Sequence, residues 1–182
     1  WKLSFVTPIY KSGGRQNVRN SIPISIMGSV AKLLDSIVAN KMSGLLINHI
    51  IEEQHGFVKS KSTLTNLIIY SSDIWETVSN GDQLDSIYLY FQKAFDRIDI
   101  GLLMNKLMDF GINGSLLMWF YSYLTGRKQI VRERGHLFDT YDVTSGVPLG
   151  FHLVPLLFLF FINEIGRDLC NAKILIFVDD VK

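Results

Sequence analysis

The sequence predicts a mixed α/β (α+β) chain. Three observations carry that reading. Two long stretches, residues 29–51 and the segment opened by Ser62, repeat apolar residues at helical spacing. Two short apolar runs, 85–91 and 172–178, read as strands. A stretch that alternates around Gly135 reads as a hairpin. With 182 residues, 48% of them hydrophobic, the chain can bury a sizeable core in one domain, or in one domain and part of another.

Taken in order, residues 3–10 (LSFVTPIY) form an extended segment broken at Pro8, and Lys11 to Asn20 a polar, glycine-bearing loop. Val30, Leu33, Leu34, Ile37, Val38, Met42, Leu45, Leu46 and Ile50 predict a helix from Ser29 to Ile51. Gln54 to Lys61 is a loop. Ser62 is placed to cap a helix through Leu64, Leu67, Ile68 and Trp75, which Asn80-Gly81 ends. The strand 85–91 follows. Leu102–Phe110 and Ser115–Leu124 are two short helices separated by Gly111 to Gly114, and Lys128–Arg134 and Leu137–Thr144 are the two arms of the hairpin. Thr144 to Gly150 is a loop that opens an apolar helix over 151–166. Its most apolar part, Leu153 to Ile162, is shorter than the roughly 20 residues a membrane span needs and contains Pro155, so it reads as a buried helix. Ala172 to Val178 is a strand that runs into Asp179-Asp180. No internal repeat or low-complexity tract is present.

The formal net charge of +1 says nothing about partners, but its distribution is uneven. Residues 1–70 hold eight Lys/Arg against three Asp/Glu, a net of +5, and residues 71–182 hold ten against fourteen, a net of −4. A basic part ahead of an acidic one fits a chain that meets a polyanion with the first and a cation with the second, although surface charge also fluctuates this way with no function. The single cysteine, Cys170, excludes an internal disulfide framework and a zinc cluster of cysteines. His55 and His152 have no partners at metal-ligand spacing and read as structural. The chain opens on Trp1-Lys2-Leu3-Ser4, with no Met and no signal peptide, which predicts a fragment of a longer reading frame.

Asp179-Asp180 is the sharpest feature. Adjacent carboxylates repel each other, and a tight turn that aims both into one cleft gives them a reason to be there. Mg²⁺ takes oxygen ligands and favours one or two carboxylates plus substrate phosphates. On the dipeptide alone, a solvated Asp-Asp turn is the ordinary alternative.

The order of the motifs narrows the choice. FVTPIYKSG (5–13), PISI (23–26), QHGFVK (54–59), KAFDRI (93–98), SYLTGRKQIV (122–131), VTSGVPLG (143–150), PLLFLFFIN (155–163) and FVDD (177–180) follow one another in that sequence. Together they resemble the reverse transcriptase domain of non-LTR (LINE-type, jockey-like) retrotransposons, nearly end to end. The resemblance implies right-hand polymerase fingers and palm, with an antiparallel palm sheet backed by helices. It implies fingers over 1–80, palm over 81–182 and no thumb. It implies an RNA-directed DNA polymerase that adds nucleotides to a primer 3′-OH by two-metal transfer. Two Mg²⁺ ions, an RNA template, a DNA primer and dNTP are then the partners, with no membrane. The implied location is intracellular, in cytoplasm or nucleus, and the oligomeric state is left open.

In the family three carboxylates hold the metals, and Asp179 and Asp180 match two of them. The third falls at position 90. There the family reads like D-F-S-K-A-F-D, and this chain reads Tyr90-Phe91-Gln92-Lys93-Ala94-Phe95-Asp96. A phenol with a reference pKa of about 10 does not replace a bridging carboxylate at pH 7. Asp96, six residues on, is too displaced to stand in. The resemblance therefore implies weakened Mg²⁺ binding and an impaired enzyme. Phe95 matches the aromatic gate that selects dNTP over rNTP, though its spacing equally suits a core aromatic. Lys59 and Lys61 match finger residues that reach the triphosphate, or are a solvated pair. Leu149 stands where the family shows glutamine, and Gly150 permits close backbone approach by nucleotide or template. Arg127, Lys128, Arg132 and Arg134 lie near the hairpin, free to touch nucleic-acid phosphate or simply solvated.

Further departures are Ile22 for arginine, Ser60-Lys61 for Gly-Arg, Phe151 and Val154 for small residues, and Phe177-Val178 for Tyr-Ala. Each is one base change from the family pattern, and with Tyr90 they imply a degenerate, truncated copy. Three functions stand side by side: an active polymerase, a non-catalytic decayed fragment or nucleic-acid-binding module, and an unrelated α/β binding module whose Asp-Asp turn is incidental. The block order counts against the last.

Overall fold

The first strand and the hairpin expected some 120 residues later lie side by side. The structure is a computed structural model that describes residues 2–46, 49–167 and 169–182. In it β1 (Leu3–Tyr10) pairs antiparallel with β2 (Ser21–Ile26) and parallel with β4 (Arg127–Glu133). β4 then pairs antiparallel with β5 (His136–Val143), giving the order β2-β1-β4-β5. The turn between β4 and β5 is Arg134-Gly135, with φ of 49° and 84° at its two residues, the left-handed geometry that a two-residue hairpin turn demands. Contrary to expectation, β1 is not broken at Pro8. Pro8 faces Pro23 of β2, and β4 pairing has already stopped at Val6. Neither proline is asked for an N–H, because a non-hydrogen-bonded antiparallel pair exchanges none.

The first helix, α1 (Ser29–Leu46), stops short of the predicted Ile51; residues 47 and 48 of that expected helix lie outside the described residues, and 49–51 are not helical. It also turns an unexpected face inward. Asp35, Ala39, Met42 and Leu46 are buried, while Val30, Leu33, Leu34, Ile37 and Leu45 are exposed. Helix α2 (Thr63–Ser79) begins as its sequence predicts. The Ser62 hydroxyl accepts from the Thr65 N–H at 3.2 Å and the Thr65 hydroxyl accepts from the Ser62 N–H at 2.8 Å, a reciprocal cap. Its apolar face is not core, however: Trp75 is 76% exposed, and Leu64, Leu67 and Ile68 are open as well.

Helices α3 (Ile100–Asp109) and α4 (Gly114–Leu124) pack against each other, and α5 (Leu153–Ile162) packs on α1 and α3. Apolar on every side, α5 is buried, as a helix of that composition must be. Its Leu157, Phe158 and Phe160 form the core with Leu103, Leu107 and Phe120. Among the described residues no helix is long and apolar enough to cross a membrane.

A second sheet is short. The strand expected over 85–91 is reduced to β3 (Leu89–Tyr90), and that over 172–178 to β6 (Ile176–Phe177). Both pair antiparallel with β7 (Asp180–Val181), in the order β3-β7-β6. A ladder is no longer than its shorter partner, so the two residues of β7 leave 82–88 without a strand to join. The outer edge of β6 is covered by residues 53–55: Ile176 N–H donates to the Glu53 carbonyl at 2.9 Å and His55 N–H to the Ile176 carbonyl at 2.8 Å. The four-stranded sheet draws β1 and β2 from before residue 80 and β4 and β5 from after it, so it crosses the boundary expected there.

Candidate active site

The two adjacent aspartates sit at the tip of the β6–β7 hairpin. Phe177 pairs with Asp180, which leaves Val178 and Asp179 as the turn. Val178 has φ of +60°, a conformation that β-branched residues seldom adopt. Gln54 and Gly56 hold it there. The Val178 N–H donates to Gln54 Oε1 at 3.1 Å, and the Gly56 N–H converges on the same oxygen at 2.7 Å. Gly56 lies so close that a Cβ there would sit 2.3 Å from Val178 Cγ2 and 2.4 Å from its nitrogen. Gln54 is 1% exposed and Val178 is 9% exposed, so the turn rests in packed protein.

Position 90 comes to this turn from the other side. Tyr90 is paired with Asp180, and the Phe91 N–H donates to the Asp179 carbonyl at 3.4 Å. Tyr90 is 62% exposed. Asp179 is half-buried and Asp180 exposed. Burial pushes the Asp179 carboxyl up and the charge of Asp180 adds to this, while its own backbone N–H and Lys11 oppose it. The charge of Lys11, at the start of the loop after β1, thus bears on this carboxyl, and no sequence signal singled it out. Asp96 is half-buried, and burial raises its carboxyl too. It does not join the turn: among the described residues no three His, Cys, Asp or Glu are grouped to hold a metal. Two turn carboxylates suit one divalent cation completed by substrate phosphates.

The loop 144–150 closes over the segment after β3. Gly146 N–H donates to the Ile98 carbonyl and Val147 N–H to the Phe95 carbonyl, both at 2.9 Å, and the Ser145 hydroxyl to the Asp96 carbonyl at 3.0 Å. At Gly146, φ is +74° and a Cβ would lie 2.5 Å from the Asp96 carbonyl oxygen, so only glycine lets the two segments meet. Phe95 is half-buried, its ring tilted on Phe158 at 4.5 Å and edge-on to Phe57 at 6.5 Å. Leu149 packs on the core, and its carbonyl accepts from the Ser25 N–H at 2.9 Å. Gly150 does permit a close approach, but to the chain itself: a Cβ there would lie 2.8 Å from the Ser25 carbonyl oxygen. Gly150 is otherwise exposed.

Of the expected cations, Lys59 is exposed and the Lys61 ammonium donates to the Glu52 carbonyl. On the hairpin, Lys128 is 3.7 Å from Asp142 and Arg134 is 3.5 Å from Glu133, and the Arg132 guanidinium lies 5.7 Å from the centre of the Phe5 ring. All three stay at the surface. Arg127 does not. It is 7% exposed, donates from Nε to the Leu124 carbonyl at 2.8 Å, and donates from Nη2 to the carbonyls of Ser145 and Gly146. It braces the end of α4 against the loop 144–150, and burial pushes its pKa down. As a phosphate contact Arg127 is withdrawn.

His55 is buried and shares a 2.7 Å hydrogen bond with the Thr65 hydroxyl, which supports its structural reading. Burial first and Lys61 second push its imidazole pKa down. Asp35 is a residue the sequence reading missed. Fully buried on α1, it accepts from the Tyr123 hydroxyl at 2.8 Å and from the His152 and Leu153 N–H groups at 2.5 and 3.4 Å. A carboxylate from one helix thus caps the N-terminus of α5 and ties α4 to both. Burial and the Asp35 charge raise the Tyr123 phenol.

A family model described as reverse transcriptase (RNA-dependent DNA polymerase) matches residues 9–182. The chain belongs to this family. Among curated relatives, it is 28% identical to a probable RNA-directed DNA polymerase from transposon BS of Drosophila melanogaster, over 91% of this chain and 18% of that one. It is 27% identical to a probable RNA-directed DNA polymerase from transposon X-element of the same organism, over 100% of this chain and 21% of that one. A Pol polyprotein from the type-1 retrotransposable element R2 of Popillia japonica is 24% identical, over 95% of this chain and 24% of that one. The chain thus spans about a fifth of the length of these relatives. Its fold resembles apo telomerase from Candida tropicalis truncated from its C-terminal domain, with a TM-score of 0.64 at 13% identity, covering 99% of this chain and 43% of that one. Telomerase from Candida albicans in complex with a fragment of telomeric RNA gives a TM-score of 0.56 at 13% identity, covering 98% and 36%. This is a reverse transcriptase domain of the non-LTR retrotransposon kind, with the mixed α/β fold of polymerase fingers and palm. The family generally uses divalent metals and acts on a nucleic-acid template.

Proposed function

We propose that this reverse transcriptase domain derives from an RNA-directed DNA polymerase and does not itself extend a primer. The observation that carries the reading is the register of β3 on β7, in which a phenol stands opposite Asp180. A carboxylate there would complete the metal site; a neutral ring leaves Asp179 and Asp180 to hold one Mg²⁺ weakly. Loss of one catalytic electrostatic contact commonly slows a reaction by a factor of about 10²–10³, and loss of a bridging ligand costs at least as much.

The remaining roles follow from exposure and neighbours. Lys59, Lys61, Phe95 and Leu149 border the proposed nucleotide site, and Lys128, Arg132 and Arg134 offer surface charge to template or primer phosphates. RNA template, DNA primer and dNTP are the proposed substrates. We assign residues 1–80 to fingers and 81–182 to palm, with the β4–β5 hairpin moved to the fingers side because β4 pairs with β1.

The test is primer extension on an RNA template with purified protein, Mg²⁺ and dNTPs, beside an Asp179→Ala variant. The expected result is no extension by either. Template-dependent extension by the unaltered chain, lost in Asp179→Ala, overturns the proposal.

A further inference from the structure

We infer that Gln54 is a positioning residue for the Asp179–Asp180 turn, and that the segment 54–57 is the seat on which that turn is built; the consequence for metal binding rests on the reading of these aspartates given above. Gln54 lies more than 120 residues from the turn in the sequence. Its side-chain oxygen nevertheless receives two backbone N–H groups, one from Gly56 and one from Val178. Two converging donors fix the amide orientation, since only the oxygen can accept from both. Its Nε2 is buried and has no hydrogen-bond partner among the described residues, which is costly, so the residue is held for its acceptor and not for its donor.

The need for that acceptor lies in the turn. A valine at φ of +60° is unfavourable and persists only where its surroundings over-determine it. Gln54 binds the Val178 N–H that this conformation turns toward it, and Gly56 leaves room for the valine methyl. The seat is fixed in turn by the backbone bonds of Glu53 and His55 to Ile176 and by Asn66 Nδ2, which donates to the same Ile176 carbonyl at 3.2 Å. The segment also reaches the neighbouring part of the site, where the Phe57 ring meets Phe95 edge-on. One loop thereby sets the position of the carboxylates and touches the aromatic beside them.

The test is amide hydrogen exchange at single-residue resolution. In the unaltered chain the Val178 amide should be protected, although it lies at the tip of a two-residue turn. Gln54→Met, which keeps the length and removes the acceptor, should speed its exchange about tenfold, the scale of one net hydrogen bond. Gln54→Glu keeps the acceptor oxygens and should restore most of the protection. An unprotected Val178 amide in the unaltered chain overturns the inference without any variant. So does a folded Gln54→Met with unchanged exchange. The consequence for the aspartates is read in a Tyr90→Asp background, where adding Gln54→Met should weaken Mn²⁺ binding severalfold and adding Gln54→Glu should not. Failure of Tyr90→Asp to bind Mn²⁺ at all counts against the metal reading of Asp179–Asp180, while the exchange result still decides the role of Gln54.

Discussion

The two sides of the candidate site are held in opposite ways. On one side the β6–β7 turn is embedded: Ile176, Val178, Val181 and Gln54 are buried, and hydrogen bonds with four separate residues, Glu53, Gln54, His55 and Asn66, hold the hairpin. On the other side residues 81–93 are all exposed, and β3 is joined to β7 by two paired residues. The difference teaches that fold and chemistry rest on separate residues here. A tyrosine at position 90 takes nothing from the core, so the scaffold of the Asp179–Asp180 turn does not depend on the side chain that stands there. A change beneath the turn has no such freedom.

The sharpest way to break the comparison is to cut the embedded side. Ile176→Ala deletes a fully buried side chain and should cost about 2–5 kcal/mol in urea unfolding. Tyr90→Ala, at an exposed edge, should stay within about 0.5 kcal/mol. Similar losses from the two would erase the distinction. Next in size is Gly56→Ala. The added methyl meets Val178 at less than 2.5 Å and forces the turn outward, for an expected loss of about 1–3 kcal/mol by the same measurement.

Tyr90→Asp sharpens the exposed side. It sets a carboxylate directly opposite Asp180, and like charges so placed cost roughly 0.2–1 kcal/mol. A cation bound by the new site reverses that cost through linkage. Added Mn²⁺ should therefore raise the melting temperature of the variant more than that of the unaltered chain; equal shifts would mean that position 90 does not share a site with the aspartates.

The smallest expected effect is that of Asp179→Asn. The folded protein raises this carboxyl above its ordinary pKa of 3.8, chiefly by burial. Its favourable contribution is fully present below that pH and is lost as pH rises through the folded value, so at pH 7 the ionised carboxylate is a burden. The asparagine variant should melt slightly higher than the unaltered chain at pH 7, with the gain disappearing toward pH 3.5. A gain that grows on acidification would contradict the assignment.

Local structure was legible from the chain alone. Ser62 caps a helix, Asn80-Gly81 stops it, and a hairpin turns at Gly135. The apolar run from Leu153 to Ile162 is the buried helix that its composition requires. The motif order carried the family and pointed to the Asp179-Asp180 turn and to position 90, which the fold sets side by side. Each of these signals lies within a few residues, or in the order of blocks, where sequence holds the whole of it.

What only the tertiary structure decided is which distant groups satisfy one another. α1 buries the face bearing Asp35 and exposes Leu33 and Ile37, because Tyr123 and the first turn of α5 supply hydrogen bonds that no periodicity reveals. Arg127 leaves the surface because three backbone carbonyls surround it, while its neighbour Lys128 stays outside. The strand expected over 85–91 shrinks to the two residues for which β7 provides partners. Gln54 and Gly56 acquire their role only when Val178 arrives from more than 120 residues away. Backbone and buried polar groups must find partners wherever the fold brings them, and that choice is written in no single stretch of chain.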